Sequence, residues 1–234
     1  MKIYYIGDTH GDIDIGKVQN FEFDENSVII QLGDFGAIWS DNMKENTPTL
    51  DKWVKKLKDK NITLIIVPGN HENYNAIFKL PITKKQGIIE GEFYTLKYDG
   101  FEFNFIKNPL LKIKDKEFLC IRGAESIDKY HRKENVTWWA QETLGLSEEQ
   151  EILKLTEKKD NFYAVLSHTC PSFLIREYLP DNVGFLKLSD PVSRFMDKIV
   201  DLIDFELWMF GHFHIDKRYG PYICLYDYII KDEV

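Results

Sequence analysis

Residues 62–72 have the sequence ITLIIVPGNHE, in which a short apolar and β-branched run leads into a polar cluster. Apolar runs of this length that end at proline, glycine or asparagine are typical of buried strands. Four other runs in the chain share this pattern, and each is also followed by a polar cluster. We therefore predict five buried strands, at residues 3–6, 28–32, 62–67, 162–166 and 205–210.

The polar clusters after these strands are rich in side chains that bind metal ions. Open α/β sheets bind their ligands at the carboxyl ends of the strands, so we expect the clusters to meet at one edge of a sheet. The sequence thus predicts an α/β fold with one composite site. The five clusters are Asp8-Thr9-His10, Gly33-Asp34, Gly69-Asn70-His71-Glu72, Ser167-His168 and Gly211-His212-Phe213-His214.

Other local signals predict the elements that surround this framework. Thr47-Pro48 has the pattern of a helix N-cap followed by a first-turn proline. Asp99-Gly100 lies between two runs that alternate with a period of two, which indicates a β-hairpin. Ser147 with Gln150 forms a capping-box pattern for a helix that reaches about residue 158.

Composition limits the classes of function. The 234 residues contain no linker rich in proline, glycine or serine, so we predict a single domain over residues 1–234. The net charge of −8 and the five arginines argue against a broad basic surface for nucleic acid. No apolar run approaches the length of a membrane span. The widely spaced Cys120, Cys170 and Cys224 favour reduced thiols, and we expect a cytoplasmic protein.

The donors in the polar clusters are carboxylate, amide and imidazole groups. This mixed oxygen and nitrogen set suits first-row divalent ions such as Mn, Fe, Zn or Ni, and the lack of thiolates argues against a purely structural zinc site. The set is too large for one tetrahedral ion and suits two ions that share a carboxylate. The seven predicted ligands are Asp8, His10, Asp34, Asn70, His168, His212 and His214.

The charge of such a centre indicates its substrate. Two divalent ions carry more positive charge than Asp8 and Asp34 remove, so the centre would attract a phosphate ester. A water held between two metals has a pKa lowered to about 7 in favourable cases, which makes it a nucleophile near neutral pH. His71, next to Asn70, is the candidate that assists the departing alcohol. Glu72 is a weaker candidate that supports the loop or orients His71.

The same five motifs resemble those of the calcineurin-like metallophosphoesterases. The family pattern is Asp-x-His, Gly-Asp, Gly-Asn-His-Glu/Asp, a histidine after a strand, and Gly-His-x-His, and all five occur in order between residues 8 and 214. The resemblance implies a four-layer αββα sandwich with two mixed β-sheets. It implies that His71 faces the leaving group and that Asp34 bridges two ions. It places Asp8, His10, Asp34 and His214 on one ion, and Asp34, Asn70, His168 and His212 on the other.

Two features of the sequence bear on the substrate. Members that act on protein Ser/Thr residues extend the second motif to Gly-Asp-x-x-Asp-Arg-Gly, whereas Ile38 stands at the arginine position here. This departure disfavours a protein phosphatase. Residues 122–132 resemble a segment of small bacterial and phage members. From it we predict Arg122, His131 and Arg132, together with Asn70, as substrate-binding residues, against the alternative of a solvated polar loop.

These observations favour a dinuclear metal-dependent phosphoesterase. Its substrate would be a small phosphomonoester or a phosphodiester, with nucleotide-type esters included. One alternative is a catalytically silent scaffold of the same fold that binds a protein partner, and another is a protein Ser/Thr phosphatase. A nuclease is disfavoured by the acidic balance of the chain.

Overall fold

The computed structural model describes residues 1–179 and 190–233. These residues form an α/β fold. The strands are β1 (Lys2–Ile6), β2 (Val28–Leu32), β3 (Thr63–Val67), β4 (Ile82–Lys85), β5 (Ile89–Tyr98), β6 (Phe101–Ile106), β7 (Leu110–Ile113), β8 (Lys116–Ile121), β9 (Asn161–Ser167), β10 (Asp204–Phe210), β11 (Lys217–Tyr219), β12 (Tyr222–Cys224) and β13 (Ile229–Glu233). The helices are α1 (Gly16–Asn20), α2 (Met43–Leu57), α3 (Tyr74–Ile77), α4 (Leu146–Lys158), α5 (Ile175–Tyr178) and α6 (Pro191–Val200).

The five predicted strands are confirmed as β1, β2, β3, β9 and β10, and all are largely buried except β10, which is buried only over its last three residues. The side chains of β2 are buried at every position, as expected for a strand that is covered on both faces. β1, β2 and β3 pair in parallel, and so do β9 and β10. Their carboxyl ends therefore point in a common direction within each parallel set.

One mixed sheet contains both parallel sets. Its strand order is β11-β12-β10-β9-β8-β7-β5-β6-β3-β2-β1-β13, with β4 paired to β5. The long strand β5 joins the two halves, because its residues 93–98 pair with β6 whereas Ile89 and Glu90 pair with β7. The sheet curls at this strand, and its two halves face each other across a shared core.

Three apolar clusters hold the halves and helices together. One cluster contains residues from both halves, such as Ile30 of β2 and Leu166 of β9. A second places Trp53 of α2 against the first half of the sheet. A third places Phe195 of α6 against Trp208 in the second half. Burial of such large side chains stabilises the fold by about 1.5–3 kcal/mol each.

Two predicted helix starts are wrong. Helix α2 begins at Met43, not at Pro48, because Asn42 caps it by accepting the Lys44 N–H at 3.3 Å. Pro48 lies inside the helix, where Thr47 Oγ1 donates to the Met43 carbonyl at 3.1 Å. Helix α4 begins at Leu146 rather than after Ser147.

The predicted hairpin is confirmed. Tyr98 of β5 pairs with Phe101 of β6, so the turn contains only Asp99 and Gly100. Both turn residues have positive φ, 44° and 71°, as a type I′ turn requires. Within the described ranges, no helix is both long and apolar enough to cross a membrane.

Candidate metal centre

All seven predicted ligands lie at the carboxyl ends of the predicted strands. Asp8 follows β1, Asp34 follows β2 and Asn70 follows β3 in the first half of the sheet. His168 follows β9 and His212 follows β10 in the second half. Since the two halves face each other, residues that are far apart in sequence meet at one edge of the sheet.

One set of donors, here called the first group, consists of Asp8, His10, Asp34 and His214. One donor atom from each of these side chains lies within 4.8 Å of all the others. His10 Nε2 is 3.4 Å from Asp34 Oδ2, and His214 Nε2 is 3.1 Å from Asp8 Oδ2. This spacing matches donors around a single small cation.

A second set, here called the second group, consists of Asp34, Asn70, His168 and His212. Donor atoms of Asp34, His168 and His212 lie within 4.8 Å of one another. His168 Nε2 is 3.2 Å from Asp34 Oδ1 and 2.9 Å from Asn70 Oδ1. Asp34 therefore belongs to both groups, with one carboxylate oxygen directed to each.

Hydrogen bonds on the far side of two imidazoles orient their rings. His10 Nδ1 lies 2.7 Å from Asp14 Oδ2, and His168 Nδ1 lies 2.9 Å from the Leu32 carbonyl oxygen. Both partners accept, so each Nδ1 carries the proton. Each Nε2 is then left to face the group, which is the arrangement typical of metal-bound histidine.

A buried chain of hydrogen bonds orients Asn70. Its Nδ2 donates to Ser126 Oγ at 3.0 Å, which turns Oδ1 toward His168. Ser126 in turn donates through Oγ and its backbone N–H to Glu142, at 2.6 and 2.8 Å. Sequence reasoning missed both supports. Ser126 lies in the segment that resembles small family members, whereas no local pattern marked Glu142.

The charges of the centre are strongly coupled. Burial alone would lower the pKa of His10, but Asp34 and Asp8 outweigh it and raise that pKa to about 9. The same balance raises the pKa of His168 to about 9. Burial alone would raise the pKa of Asp34, yet His168 and His10 hold it well below its ordinary value. In the metal-free protein, the buried carboxylates thus favour the protonated form of both histidines, and a bound cation would replace that positive charge.

Glu72 supports the loop that presents Asp34. Its side chain is fully buried and accepts the backbone N–H groups of Phe35 and Gly36, at 2.7 and 3.4 Å. Burial and the charge of Asp34 raise the pKa of Glu72 to about 8. These contacts agree with the interpretation of Glu72 as a loop support.

His71 lies beside the first group. Its backbone N–H donates to Asp34 Oδ1 at 2.8 Å, and its ring centroid is 5.5 Å from that of His10. The Arg132 guanidinium covers its ring, with Nη1 3.0 Å from Nδ1 and Nη2 3.2 Å from Nε2. Burial lowers the pKa of His71, and Arg132 adds to this effect against an opposing contribution from Asp34.

The predicted substrate-binding residues fall into two sets. Asn70 and Arg132 lie at the centre, and Asp128 holds Arg132 through an Nε–Oδ2 hydrogen bond of 2.9 Å. Arg122 makes different contacts that argue against its predicted role, because its guanidinium is buried and donates to both Glu148 oxygens and to the Gln141 carbonyl. His131 is exposed on a single 3-10 turn.

Several of the predicted ligands have an unusual backbone conformation. Four non-glycine ligands have φ in the left-handed region: His10 (43°), Asp34 (43°), His212 (69°) and His214 (53°). This region is uncommon for residues with a Cβ and is enriched at functional sites. The motif glycine Gly69 packs so closely on Asp34 that a Cβ there would collide with the carboxylate.

The residues present fit a pair of divalent ions. Asp8, Asp34 and His168 are at most 1% exposed, and buried carboxylates of this kind need a cation or proton as a partner. The donor set contains only oxygen and imidazole nitrogen, as borderline divalent ions prefer. Asp34 offers one oxygen to each group, as a bridging ligand requires.

Comparisons with known proteins identify the class. The model of the calcineurin-like phosphoesterase family matches residues 1–216. The chain belongs to this family, and it is a metal-dependent phosphoester hydrolase. A comparison with curated protein sequences gave no significant match.

One of two similar solved structures supports the fold. The crystal structure of the phosphopantetheinyl hydrolase of Mycobacterium tuberculosis is 12% identical, with a TM-score of 0.51, over 96% of this chain and 88% of that one. A cold-active protein-tyrosine phosphatase of a psychrophilic Shewanella species is 14% identical, with a TM-score of 0.35, over 96% and 70% of the two chains. The similarity to the phosphopantetheinyl hydrolase concerns the fold alone, and nothing is concluded from the second.

Proposed function

We propose that the protein hydrolyses a small phosphomonoester or phosphodiester with the help of two divalent ions. The first group, Asp8, His10, Asp34 and His214, would hold one ion. The second group, Asp34, Asn70, His168 and His212, would hold the other. Nucleotide-type esters are included in this substrate class, and Mn, Fe, Zn and Ni are the candidate metals.

The position of Asp34 is the observation on which this proposal rests. Its Oδ2 is 3.4 Å from His10 Nε2, and its Oδ1 is 3.2 Å from His168 Nε2. A carboxylate that is shared in this way brings two cations close enough to act on one phosphate. When bound, such ions neutralise phosphate charge and lower the pKa of a water toward neutrality.

The protein's own residues then bind and orient the ester. His71 lies next to the first group, where a ring nitrogen can donate a proton to the departing oxygen. Arg132 has its guanidinium at the same place, and its planar fork suits two oxygens of a phosphate. Asp128 limits the freedom of Arg132 and so reduces the cost of ordering it on binding.

The three apolar clusters support the finer architecture. One cluster lies between the halves of the sheet, and each of the others lies between a half and its helices. Such an arrangement fits a four-layer αββα sandwich, within a single domain over residues 1–234. In it the metal centre would occupy one end of the two inner layers.

Ile38 separates this proposal from a protein Ser/Thr phosphatase. Its side chain is 1% exposed and packs in the apolar cluster that contains Trp53. The position that carries a phosphate-binding arginine in the protein-phosphatase motif is therefore apolar and buried in this chain. A small ester is therefore favoured over a phosphoprotein.

The proposal is tested by metal content and turnover. Purified protein is loaded with Mn, Fe, Zn or Ni, its bound metal is measured by mass spectrometry, and hydrolysis of para-nitrophenyl phosphate and of its bis-ester is followed. We expect two bound ions per chain and turnover of at least one ester. One bound ion per chain contradicts the dinuclear centre. Two bound ions without turnover of any ester in a broad panel would instead favour a silent scaffold.

A further inference from the structure

We infer that Tyr226 and Asp14 form a clamp that positions the two imidazoles of the first group. The clamp rests on the proposed function, because it concerns how the protein holds the first of the two ions. It assigns a positioning role to residues outside the predicted ligand set. It also explains how an exposed ligand can be kept in place.

His214 needs such a support. Half of its side chain, 50%, is exposed, whereas the Asp8 carboxylate that it contacts is fully buried. The Tyr226 ring stacks on the His214 ring with centroids 4.9 Å apart and an angle of 18° between the planes. A solvent-exposed imidazole would otherwise sample several rotamers, so this stacking restricts the ring to the conformation that faces Asp8.

Asp14 connects this stack to His10. Its Oδ1 accepts the Tyr226 O–H at 3.0 Å, and its Oδ2 lies 2.7 Å from His10 Nδ1. One carboxylate thus fixes His10 by a direct hydrogen bond and His214 through Tyr226. The His10 and His214 rings are themselves in edge contact, with centroids 4.8 Å apart.

The backbone of Tyr226 is fixed as well. Asp216 accepts the N–H groups of Tyr226, Asp227 and Tyr228, at 2.8, 2.9 and 3.1 Å. Lys17 donates to the carbonyl oxygens of both Tyr226 and Asp8, and its Nζ lies 4.6 Å from the centroid of the Tyr226 ring. The clamp is therefore attached to the same loop that carries Asp8.

Tyr226 lies beyond the part of the chain that matches the family, which ends at residue 216. The aromatic member of the clamp is thus supplied by the C-terminal segment, whereas Asp14 lies within the matched range. The ligands of the second group have other supports, from Leu32 and Ser126. Loss of the clamp should consequently weaken only one of the two ions.

The experiment compares ion binding in three variants. Calorimetric titration of metal-free protein with Mn²⁺ gives the affinity of each ion. We expect Tyr226→Leu to weaken one ion by about 10–100-fold and to leave the other unchanged, because it removes both the ring stacked on His214 and the hydrogen bond to Asp14, and loss of outer contacts that orient a metal ligand costs about that much. Tyr226→Phe keeps the stacked ring, so it should restore most of the affinity and leave only the loss of the Asp14 hydrogen bond.

Tyr228→Leu is the matched control. Tyr228 lies in the same loop and is 70% exposed, and its backbone N–H contacts Asp216 in the same way. Melting temperatures of the metal-free proteins show whether each variant is folded. The clamp is rejected if Tyr226→Leu binds both ions as Tyr228→Leu does, or if both ions weaken equally. Wild-type protein that binds no ion overturns the proposed function and the clamp together.

Discussion

The two ligand groups of the metal centre differ most in their access to solvent. In the first group, the side chains of His10 and His214 are 13% and 50% exposed. In the second group, the His168 side chain is fully buried, and Asn70 and His212, taken as whole residues, are 4% and 8% exposed. Asp34 is common to both. The first group is therefore called the open half of the metal centre, because two of its histidines reach solvent. The second group is called the buried half.

This difference indicates that the two halves have different roles, one in tight ion binding and the other in contact with the ester. The buried half holds its donors through core contacts such as His168 Nδ1 to Leu32. Charges attract more strongly in such low-dielectric surroundings, so an ion there should be bound more tightly and exchange more slowly. The open half adjoins His71 and Arg132, so we expect an ester to approach from this side. We expect chelators to remove the ion of the first group before that of the second.

The largest expected effect comes from removing the carboxylate that both halves share. Asp34→Asn keeps the shape of the side chain but loses its negative charge, so both ions should weaken and turnover should fall by roughly a thousandfold or more, as the loss of several kcal/mol implies. His214→Ala is the comparison, because it belongs to the first group only. Metal analysis of the His214→Ala protein should find one tightly bound ion per chain. An Asp34→Asn protein that retains two tightly bound ions contradicts the shared role.

The next effect separates chemistry from metal binding. His71→Gln should retain both ions, since His71 is not among the ligands, and should lose about 10²–10⁴-fold in kcat, the usual contribution of a general acid. The loss should be smaller for esters whose alcohol leaves easily, such as para-nitrophenyl phosphate. Steady-state kinetics with good and poor leaving groups check this. Equal losses for both kinds of ester argue against proton donation.

A smaller effect should appear in the buried half alone. Ser126→Ala removes the acceptor that orients the Asn70 amide, so affinity for the second ion should fall by about 10–100-fold while the first ion is unaffected. Glu125→Gln is a control in the same segment, where Glu125 pairs with Lys129 rather than with a ligand. Calorimetric titration measures both. If Ser126→Ala weakened the first ion instead of the second, Ser126 would not be a support of the buried half.

The smallest effect concerns the open half and its substrate. Arg132→Met should raise KM for phosphate esters by about tenfold or more, because hydrogen bonds to charged groups contribute about 1.5–3 kcal/mol. Arg122→Met is informative beside it. The buried Arg122 guanidinium donates to Glu148 and not to a ligand, so this variant should lower the melting temperature without a comparable rise in KM. The reverse pattern would restore Arg122 as a substrate-binding residue.

The ligands could be predicted from sequence because each one follows a strand with a strong local pattern. Parallel pairing brings the positions within each set together, whereas the meeting of the two sets depends on the curl of the sheet. The supports could not be predicted in this way. Asp14 and Tyr226 are 212 residues apart, and their contact depends on how the C-terminal segment returns to the first loop.

The same limit explains the errors in the fold. Thr47-Pro48 has the local pattern of a helix start, but the cap that forms is Asn42. The buried Asn46 side chain accepts the Trp39 and Ser40 N–H groups, which ties the first turn of α2 to the preceding loop. From sequence alone, Arg122 cannot be told apart from an arginine that binds phosphate. Only the structure shows that Glu148 neutralises its charge within the protein.

The left-handed backbone at the ligands has a consequence for attempts to engineer this enzyme. Unfavourable backbone conformations of this kind cost of the order of 1–3 kcal/mol each, although His and Asp tolerate the left-handed region better than most residues. Glycine at residues 10, 34, 212 or 214 would relieve that cost and abolish a ligand. Selection for heat resistance alone would therefore favour inactive proteins at these four positions, so such a screen must demand turnover at every round.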